Sequence, residues 1–253
     1  MEGVVTNIEL KDENNQKDYY DKAVHYDKIW GEDNIHLGYY PHISGPIGGN
    51  DFIRLNNVQA ADMLTKRMID LANIKQGNMV LDLGCGKGQS TKLISDYTGA
   101  KCIGLDLGSV NVDRAKEVAS KYPHLNLKYV EGSFTNLPRE ITENKYDIIF
   151  SQVAFCHVHK ELCKTLNEIK KVMTHDALLV VNDYIGCDKE ASENTKEHVW
   201  KRLHFDHLHG HKAWRSILEE NGFELLYYEN LDNHMAQTYK DMAVKAADFG
   251  FKS

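Results

Sequence analysis

Residues 80–88 read Val80-Leu81-Asp82-Leu83-Gly84-Cys85-Gly86-Lys87-Gly88. The first part of this stretch is a short apolar run with one acid, which predicts a buried strand. Glycine then occupies every second position from 84 to 88, and without a β-carbon the backbone can approach a ligand closely. A helical pattern begins at Gln89, so the stretch predicts a strand, a glycine-rich turn and a helix in that order.

Two acids frame this turn. The turn has the spacing GxGxG, whereas a dinucleotide-binding turn has GxGxxG. Asp82 lies just before it, where a carboxylate would repel a phosphate and would favour an ammonium or sulfonium group. Asp106 ends the next predicted strand, where it can bind both ribose hydroxyls. The pattern predicts a site for a cationic nucleoside. A plain tight turn with Asp106 as a helix cap, and an NAD-dependent reductase, are the alternatives.

Apolar runs and helical patterns alternate along the rest of the chain. The predicted strands are residues 79–83, 101–106, 127–131, 146–151, 178–183 and 223–230. The predicted helices between and before them are residues 19–30, 58–73, 89–97, 109–121, 160–172 and 212–221. This alternation predicts an α/β fold with a doubly wound, mostly parallel sheet. We expect one domain over 1–253, with a flexible segment at 1–17, N-terminal cap helices within 19–56 and a substrate-lid insertion at 185–212.

Composition excludes several classes of partner. The chain has 253 residues and a net charge of −7, and its basic residues never run beyond pairs, so we expect no nucleic-acid partner. The five cysteines form no CxxC pair, which favours a reducing, cytoplasmic location over a disulfide framework or zinc site. The N-terminal residues lack the apolar stretch of a signal peptide, and no apolar window is long enough for a membrane span. We expect a monomer or a homodimer.

These motifs resemble those of class I S-adenosylmethionine-dependent methyltransferases. The resemblance starts from residues 80–88 and continues in residues 132–134 (GSF) and 146–152 (YDIIFSQ), within a span of roughly 19–230. It implies a Rossmann-like fold, S-adenosyl-L-methionine as cofactor and S-adenosyl-L-homocysteine as product. The cofactor-binding residues that it implies are Asp82, Gly84, Cys85, Gly86, Gly88, Gln89, Asp106, Leu107, Gly132, Ser133, Phe134 and Gln152.

A second segment resembles a particular subgroup of these methyltransferases. Residues 30–40 (WGEDNIHLGYY) are similar to the sarcosine/dimethylglycine N-methyltransferases that make betaine, and more distantly to phosphoethanolamine, tocopherol and sterol methyltransferases. A small-molecule amine is therefore the leading acceptor, and phosphoethanolamine or another O- or C-acceptor is the runner-up. A catalytically silent S-adenosylmethionine-binding protein is the third possibility. Val153 stands where the betaine-type enzymes commonly have an acid.

The candidate catalytic base is His157, which follows the fourth predicted strand and belongs to the residue type that titrates near neutral pH. The resemblance implies that it pairs with an N-terminal tyrosine, Tyr19 or Tyr20. The candidate substrate-binding residues are Tyr26, Trp30, Val153, Asp183, Tyr184 and His207.

A cluster of five histidines between residues 198 and 211 suggests a metal site. However, Asp206 is the only closely spaced acid and no cysteine accompanies the cluster. We therefore expect substrate contacts or a solvated loop there, and no metal.

Overall fold

The computed structural model of the chain describes residues 36–41 and 55–248. Within them, five parallel strands form one sheet: β1 (Met79–Leu83), β2 (Lys101–Asp106), β3 (Leu127–Glu131), β4 (Tyr146–Gln152) and β5 (Met173–Asn182). The strand order is β3-β2-β1-β4-β5. Because the order reverses between β1 and β4, a crevice opens at the carboxyl ends of these two strands. The predicted doubly wound fold is confirmed.

Helices flank the sheet on both faces. They are α1 (Asn57–Leu71), α2 (Gln89–Thr98), α3 (Ser109–Ser120), α4 (Arg139–Thr142), α5 (Leu162–Lys170), α6, α7 (His211–Glu220) and α8 (Asp232–Asp248). Helix α6 consists of the α-helical turns Glu193–Thr195 and Lys201–Leu203 on either side of a π-helical segment, Lys196–Trp200. Helix α1 begins at a capping box, in which Asn56 and Gln59 each accept a hydrogen bond from the other's backbone N–H.

Apolar residues of each strand are buried on both sheet faces. In β1, Leu81 and Leu83 pack with Trp214 of α7, whereas Val80 packs with Leu64 and Ile69 of α1. Successive strand residues point to opposite faces, so these two clusters lie on opposite sides of the sheet. Burial on both faces explains why β1 is apolar throughout except at Asp82.

The sixth predicted strand is wrong. Residues 223–230 form neither strand nor helix, and within the described part of the chain no backbone hydrogen bond joins them to β5. Three consecutive side chains, Leu226, Tyr227 and Tyr228, are about half exposed or more. Phe223, at the start of this segment, packs against the core on one face of the sheet. Leu231, which directly follows the segment, packs against the core on the opposite face.

One strand boundary and one helix also differ from the prediction. Strand β5 begins at Met173, before the apolar run that starts at Leu178. Helix α8 was not predicted at all. The 1–17 segment and most of the 19–56 cap lie outside the described residues, and the single domain and the 185–212 lid stay predictions. In the parts of the chain that the structure covers, no helix has the length and apolar character of a membrane span.

Candidate active site

The glycine turn joins β1 to α2 at the crevice. Gly84, Gly86 and Gly88 all have positive φ angles, of 70°, 53° and 86°. A β-carbon on Gly88 would lie 2.7 Å from the hydroxyl oxygen of Tyr129, and that hydroxyl donates to the Gly88 carbonyl at 2.9 Å. Glycine at 88 is therefore required by both backbone conformation and space.

The carboxylate of Asp106 holds the turn from the β2 side. Its Oδ2 accepts from the backbone N–H of Gly86 at 2.8 Å, and its Oδ1 accepts from Gly108 N at 2.9 Å and Asn111 Nδ2 at 3.2 Å. The structure thus brings together the turn and the acid that the sequence predicted as partners. Leu107 follows directly on this loop, at the rim of the crevice.

Asp82 lies behind the turn and is only 2% exposed. Its Oδ2 accepts a 2.6 Å hydrogen bond from the Thr91 hydroxyl of α2. Burial raises the pKa of Asp82 to about 7, and the nearby Asp106 carboxylate adds to that rise. Burial also raises the pKa of the Cys85 thiol well above its ordinary value. Asp82 therefore ties β1 to α2, and its predicted contact with a cationic ligand stays a prediction.

The end of β3 continues the row of predicted cofactor residues. Gly132 N donates to the carbonyl of Asp106 at 2.9 Å, which places residues 132–134 beside the end of β2. The Ser133 hydroxyl lies 2.8 Å from the Thr135 hydroxyl, and the Phe134 ring lies 5.6 Å from that of Phe155. The carboxyl ends of β1, β2 and β3 therefore carry these predicted residues in one continuous row.

Gln152 ends β4 on the other side of the turn. Its Oε1 accepts from the hydroxyls of Thr65 at 3.0 Å and Ser90 at 2.9 Å. Ser90 Oγ also lies 3.0 Å from His36 Nε2. Thr65, Ser90 and His36 were not among the predicted site residues. Thr65 belongs to no local motif, whereas Ser90 directly follows Gln89 and His36 lies within the 30–40 segment.

Near these groups, Gln89 begins α2 and turns toward α1. Its Nε2 donates to Asp62 Oδ1 at 3.4 Å. Burial lowers the pKa of His36 to about 4. The imidazole of His36 is therefore neutral at physiological pH.

Asp183 fixes the loop that follows β4. Its Oδ2 accepts from Ala154 N at 3.0 Å and Cys156 N at 3.2 Å, and its Oδ1 accepts from Tyr184 N at 2.7 Å. Burial raises the pKa of Asp183 to about 6. The carboxylate that was predicted to attract an ammonium group therefore already binds three backbone donors.

Val153 begins this loop in a strained conformation. Its φ is +57°, a left-handed value that a β-branched residue rarely adopts. Its N–H donates to the carbonyl of Asn182 at 2.8 Å. A β-carbon on Gly84 would lie 2.4 Å from that of Ala154, so the loop after β4 packs directly against the glycine turn.

Aromatic rings cover this loop. The ring of Phe205 lies 5.6 Å from that of His157 and 5.3 Å from that of Tyr184. The Tyr184 hydroxyl lies 2.6 Å from that of Tyr239 on α8. We call the rings of His157, Tyr184, Phe205 and Tyr239, together with the adjoining side chain of Val153, the aromatic wall. Burial lowers the pKa of His157 to about 4, so its ring is neutral at physiological pH.

The predicted substrate residue His207 belongs to a chain of histidines. Its Nε2 lies 3.2 Å from His209 Nδ1, His209 Nε2 donates to the carbonyl of His159 at 2.8 Å, and His209 N donates to His159 Nδ1 at 2.7 Å. These contacts attach the segment before α7 to the loop after β4. In the part of the chain that the structure describes, no group of three or more potential ligands could hold a metal ion.

Helix α8 holds the segment 36–41 over the crevice. Thr238 Oγ1 accepts from Gly38 N at 3.1 Å, and His234 Nδ1 accepts from Tyr40 N at 2.9 Å. The rings of Tyr39 and His234 are stacked 4.4 Å apart. Tyr19, Tyr20, Tyr26 and Trp30 precede this segment and lie outside the described residues.

The residues at the crevice fit a nucleoside that carries an amino acid. The glycine turn offers backbone without side chains, and Asp106 stands at its β2 side. On the β4 side, the Nε2 of Gln152 is buried and has no hydrogen-bond partner among the described residues. A ligand lying across the turn from β2 to β4 would meet an acceptor at one end and a donor at the other.

Comparisons with known proteins agree with this geometry. A family model described as a methyltransferase domain matches residues 74–222. A sarcosine/dimethylglycine N-methyltransferase from Aphanothece halophytica is 26% identical over 228 residues, which cover 88% of this chain and 77% of that protein. A sterol 24-C-methyltransferase from Saccharomyces cerevisiae is 32% identical over 173 residues, covering 63% of this chain and 43% of that protein.

A solved structure shares the fold. Phosphoethanolamine N-methyltransferase 2 from Haemonchus contortus, in complex with phosphomonomethylethanolamine and S-adenosylhomocysteine, superposes with a TM-score of 0.76 at 17% identity. The match covers 96% of this chain and 51% of that one. This chain therefore spans about half the length of that enzyme and less than half of the yeast sterol enzyme.

Proposed function

Because the chain belongs to the methyltransferase domain family and is an S-adenosylmethionine-dependent methyltransferase, we propose that its acceptor is a small amine of the sarcosine/dimethylglycine type. The relative that carries this name aligns with 88% of the chain, beyond the domain that the family shares. The structural observation that carries the proposal is the aromatic wall, which packs against the glycine turn through Ala154.

The aromatic wall suits the charge that develops during transfer to nitrogen. When bound, S-adenosylmethionine supplies an electrophilic methyl group on a sulfonium. Transfer to an amine would form a C–N bond at the expense of the C–S bond, so positive charge would pass from the sulfur to the acceptor nitrogen beside the aromatic wall. Faces of Tyr184 and Phe205 can stabilise that charge through cation–π attraction. The rest of the rate can come from holding the two reactants in line in a dry pocket.

His157 acts in this proposal as an acceptor of a hydrogen bond. Because burial lowers the pKa of His157 to about 4, its ring is neutral but a weak base at pH 7. With sarcosine it can orient the amine N–H, whose proton would be released to water after transfer, whereas dimethylglycine has no N–H in its nucleophilic form and no proton to release. Tyr19 or Tyr20 as its partner remains part of the proposal.

A C-methyltransferase acting on an apolar acceptor is the second candidate. Val153, Tyr184 and Phe205 belong to one apolar cluster, together with Cys156 and Leu208. Such a lining would also suit an alkene, and one relative is a sterol 24-C-methyltransferase.

A phosphorylated amine is less favoured. It would need free cations near the lid, but three lysines of that region already pair with carboxylates. These lysines are Lys160, Lys196 and Lys201, whose Nζ atoms lie 3.2 Å or less from side-chain oxygens of Asp206, of Glu190 and Glu193, and of Glu197.

A cytoplasmic location, and a monomeric or homodimeric state, complete the proposal. The location rests on the absence of a CxxC pair among the five cysteines, and the oligomeric state stays a prediction.

A methyl-transfer screen tests the acceptor. Purified protein with S-adenosylmethionine is offered glycine, sarcosine, dimethylglycine, phosphoethanolamine and a sterol alkene, and S-adenosylhomocysteine release is measured. We expect sarcosine or dimethylglycine to give the highest kcat/KM. We expect His157→Asn to lower kcat about 3- to 10-fold on that acceptor, since a neutral hydrogen bond contributes about 1 kcal/mol.

The matched control is His175→Asn, because the His175 side chain is 97% exposed and far from the crevice residues. It should keep wild-type turnover. Fastest turnover with the sterol would replace this proposal by the C-methyltransferase. Tight binding of S-adenosylhomocysteine without turnover of any acceptor would identify a catalytically silent protein.

A further inference from the structure

The loop between α6 and α7 closes the aromatic wall. We call residues 204–210 the histidine loop. Although it is a surface loop, its Phe205 and Leu208 are buried in one cluster with Cys156 of the loop after β4. The Phe205 ring lies 5.6 Å from that of His157. The aromatic wall therefore keeps its shape only while the histidine loop is attached to the loop after β4.

Three histidines contribute to that attachment. The backbone N–H of His209 donates to Nδ1 of His159 at 2.7 Å, and Nε2 of His209 donates to the His159 carbonyl at 2.8 Å. Nε2 of His207 lies 3.2 Å from Nδ1 of His209. The rings of His159 and His209 are stacked 5.3 Å apart, and the His207 ring meets that of His209 edge-on at 4.6 Å. The imidazoles therefore lie in contact with one another at the junction of the two loops.

The contacts of His159 suit a neutral ring. A backbone N–H can only donate, so Nδ1 of His159, which faces that of His209 at 2.7 Å, carries no hydrogen. Its Nε2 faces a second donor, because the indole Nε1 of Trp214 lies 3.3 Å away. An imidazolium ring donates from both nitrogens and would meet an N–H group at each of them. Protonation of His159 therefore breaks its hydrogen bond to the histidine loop.

His209 is also held as a neutral ring. A carbonyl oxygen can only accept, so Nε2 of His209 carries the hydrogen that it donates to the His159 carbonyl. In the neutral ring Nδ1 is then an acceptor, and it receives a hydrogen bond from Nε2 of His207. A second proton on His209 would occupy Nδ1 and face that donor. Each proton that the cluster takes up therefore removes a hydrogen bond or adds a like charge.

The surroundings of the cluster offer little to balance added positive charge. Within the described part of the chain, the titratable groups that face His159 are His157, His207 and His209, and those that face His207 are His209 and Lys160. Each of them carries positive charge when protonated. Asp206, next to His207, pairs with Lys160, whose Nζ lies 3.2 Å from its Oδ2. On the α7 side, Oδ1 of Asp188 accepts from the backbone N–H of Lys212 at 2.9 Å. These carboxylates are therefore engaged by other groups.

We propose that His159, His207 and His209 form a pH-sensitive switch, which detaches the histidine loop from the loop after β4 when the rings take up protons. The attached loop completes the aromatic wall at neutral pH, and the detached loop leaves it incomplete in acid. A loss of turnover on detachment rests on the proposed acceptor site, whereas detachment itself does not depend on the acceptor. The glycine turn takes no part in these contacts, so cofactor binding should persist.

The direction of the pH effect follows from the two states of the loop. Burial lowers the pKa of His159 to about 3, and it also lowers the pKa of the more exposed His207. In the detached state both rings are hydrated and titrate at about 6.5. Below that pH the detached state binds more protons, so acid favours detachment by about 10-fold per pH unit for each proton taken up. His159 should contribute most of the change, because it is the more buried of the two.

Hydrogen–deuterium exchange on the full chain tests detachment. Exchange of peptides that cover 204–210 is measured at pH 7 and pH 5 and corrected for the intrinsic rate at each pH. We expect protection of the wild-type histidine loop to fall about 10- to 100-fold between the two, while peptides from β2 stay protected. Unchanged protection of the loop would overturn the proposal. An equal loss of protection in β2 would overturn it too, because the whole chain would then be unfolding.

Two variants remove titrating rings from the cluster. His159→Phe keeps a ring that cannot take up a proton, so its loop protection should change less than about 3-fold between pH 7 and pH 5. The double variant His207→Gln with His209→Gln keeps the backbone hydrogen bond to His159 and removes two cationic neighbours. Its loop protection should match the wild type at pH 7 and fall less in acid. His198→Asn, at an exposed residue of α6, is the matched control and should fall like the wild type.

A wild-type fall in His159→Phe would place the switch elsewhere and overturn the proposal. If His159→Phe leaves the loop unprotected already at pH 7, the double variant decides alone. In the double variant, a wild-type fall would overturn the proposal, and a smaller fall would support it.

Turnover separates the switch from the proposed acceptor site. The kcat/KM of wild type relative to His159→Phe is measured with sarcosine at pH 7 and pH 5, because protonation of the acceptor affects both proteins alike. We expect this ratio to fall by about 10-fold or more in acid, whereas the corresponding ratio of Kd values for S-adenosylhomocysteine stays within about 3-fold. Loss of loop protection with a constant kcat/KM ratio would support the switch and overturn the aromatic wall as the acceptor site.

Discussion

Apart from Gln152, which meets Thr65 across 87 residues, the cofactor half of the site is formed by shorter-range contacts than the acceptor half. In the cofactor half, which is the glycine turn with the ends of β2 and β3, Gly86 N meets Asp106 only 20 residues later. In the acceptor half, which is the aromatic wall with its supporting loops, the Tyr184–Tyr239 contact spans 55 residues and the His159–His209 contact spans 50. The segment 36–41 meets α8 across 200 residues.

The two halves therefore depend on different parts of the chain in order to form. A strand–turn–helix unit can assemble the cofactor half from contiguous chain, with backbone groups as the main contacts. The acceptor half exists only after β5, α7 and α8 are in place. Variants in the two halves should therefore have separable effects on cofactor binding and on turnover.

The largest effect is expected in the cofactor half, from Gly88→Ala. The new β-carbon would meet the ring of Tyr129 at 2.8 Å, and the residue would keep a φ of +86°. Strain at a left-handed residue and overpacking together should lower the free energy of unfolding by about 3 kcal/mol. Urea denaturation measures this, and calorimetry should show a loss of S-adenosylhomocysteine affinity of about 100-fold, since the displaced turn lines the site.

Gly77→Ala provides the matched control. Gly77 also has a positive φ, of 96°, but a β-carbon there meets nothing within 4 Å. It should cost only about 1 kcal/mol and leave ligand affinity unchanged. Equal costs for the two variants would show that the Tyr129 contact contributes nothing.

The same difference decides how much the sequence could predict. Residues 80–88 and Asp106 carry their role in local order, and five of the six predicted strands are present in the sheet, whereas the order of the strands, with its reversal between β1 and β4, was not predicted. Thr65 and Tyr239 lie on helices that bring them to the site from distant parts of the chain, and no local pattern marks them. The apolar run at 223–230 failed for a related reason, because a strand needs a hydrogen-bonded neighbour that its own sequence does not specify.

Asp183→Asn should give the next largest effect, and here the affected quantity is kcat rather than cofactor affinity. The Asp183 carboxylate accepts from Ala154, Cys156 and Tyr184, whereas an amide has one accepting oxygen and would face one of these donors with its own N–H. We expect a loss of about 2 kcal/mol in stability and a fall in kcat of at least about 10-fold. The Kd of S-adenosylhomocysteine should stay within about 3-fold, because the glycine turn is intact.

Asp176→Asn is the control for this variant, since Asp176 lies on β5, the strand that Asp183 directly follows, with its side chain 95% exposed. It should change neither stability nor turnover. A parallel loss of cofactor affinity in Asp183→Asn would contradict the separation of the two halves.

His159→Asn should change how stability depends on pH. Burial lowers the pKa of His159 to about 3, and the neighbouring His209, His207 and His157 lower it further. Below pH 6.5 the unfolded chain therefore binds one more proton than the folded chain at this residue, and this residue makes stability fall as pH falls. Asp82 contributes the opposite sign, because burial raises its pKa to about 7, and comparison of variant with wild type removes that contribution.

The expected result is a difference in the free energy of unfolding between wild type and variant that shrinks as the pH falls. At pH 7 the variant is less stable, because the backbone N–H of His209 loses its acceptor, the Nδ1 of His159 at 2.7 Å. The difference should shrink by about 1.4 kcal/mol per pH unit from pH 6.5 to pH 5. Urea denaturation at pH 7, 6 and 5 measures the slope, and His175→Asn should keep the wild-type slope. A constant difference at all three pH values would mean that His159 titrates alike in the folded and unfolded chain.

Tyr239→Phe should have the smallest effect. This variant tests whether Tyr184 belongs to the part of the acceptor half that orients the acceptor. The variant removes one hydroxyl from a 2.6 Å contact and leaves the ring in place, so Tyr184 loses a partner without a cavity forming. A neutral hydrogen bond is worth about 1 kcal/mol, which corresponds to roughly a 5-fold rise in KM for the acceptor if Tyr184 orients it. The Kd of S-adenosylhomocysteine should not change, whereas Tyr97→Phe, at a side chain 54% exposed, should change neither constant. If KM stays at the wild-type value, Tyr184 does not orient the acceptor and the wall ends at Phe205. If the cofactor Kd rises together with KM, α8 supports both halves, and the separation between them is confined to the glycine turn.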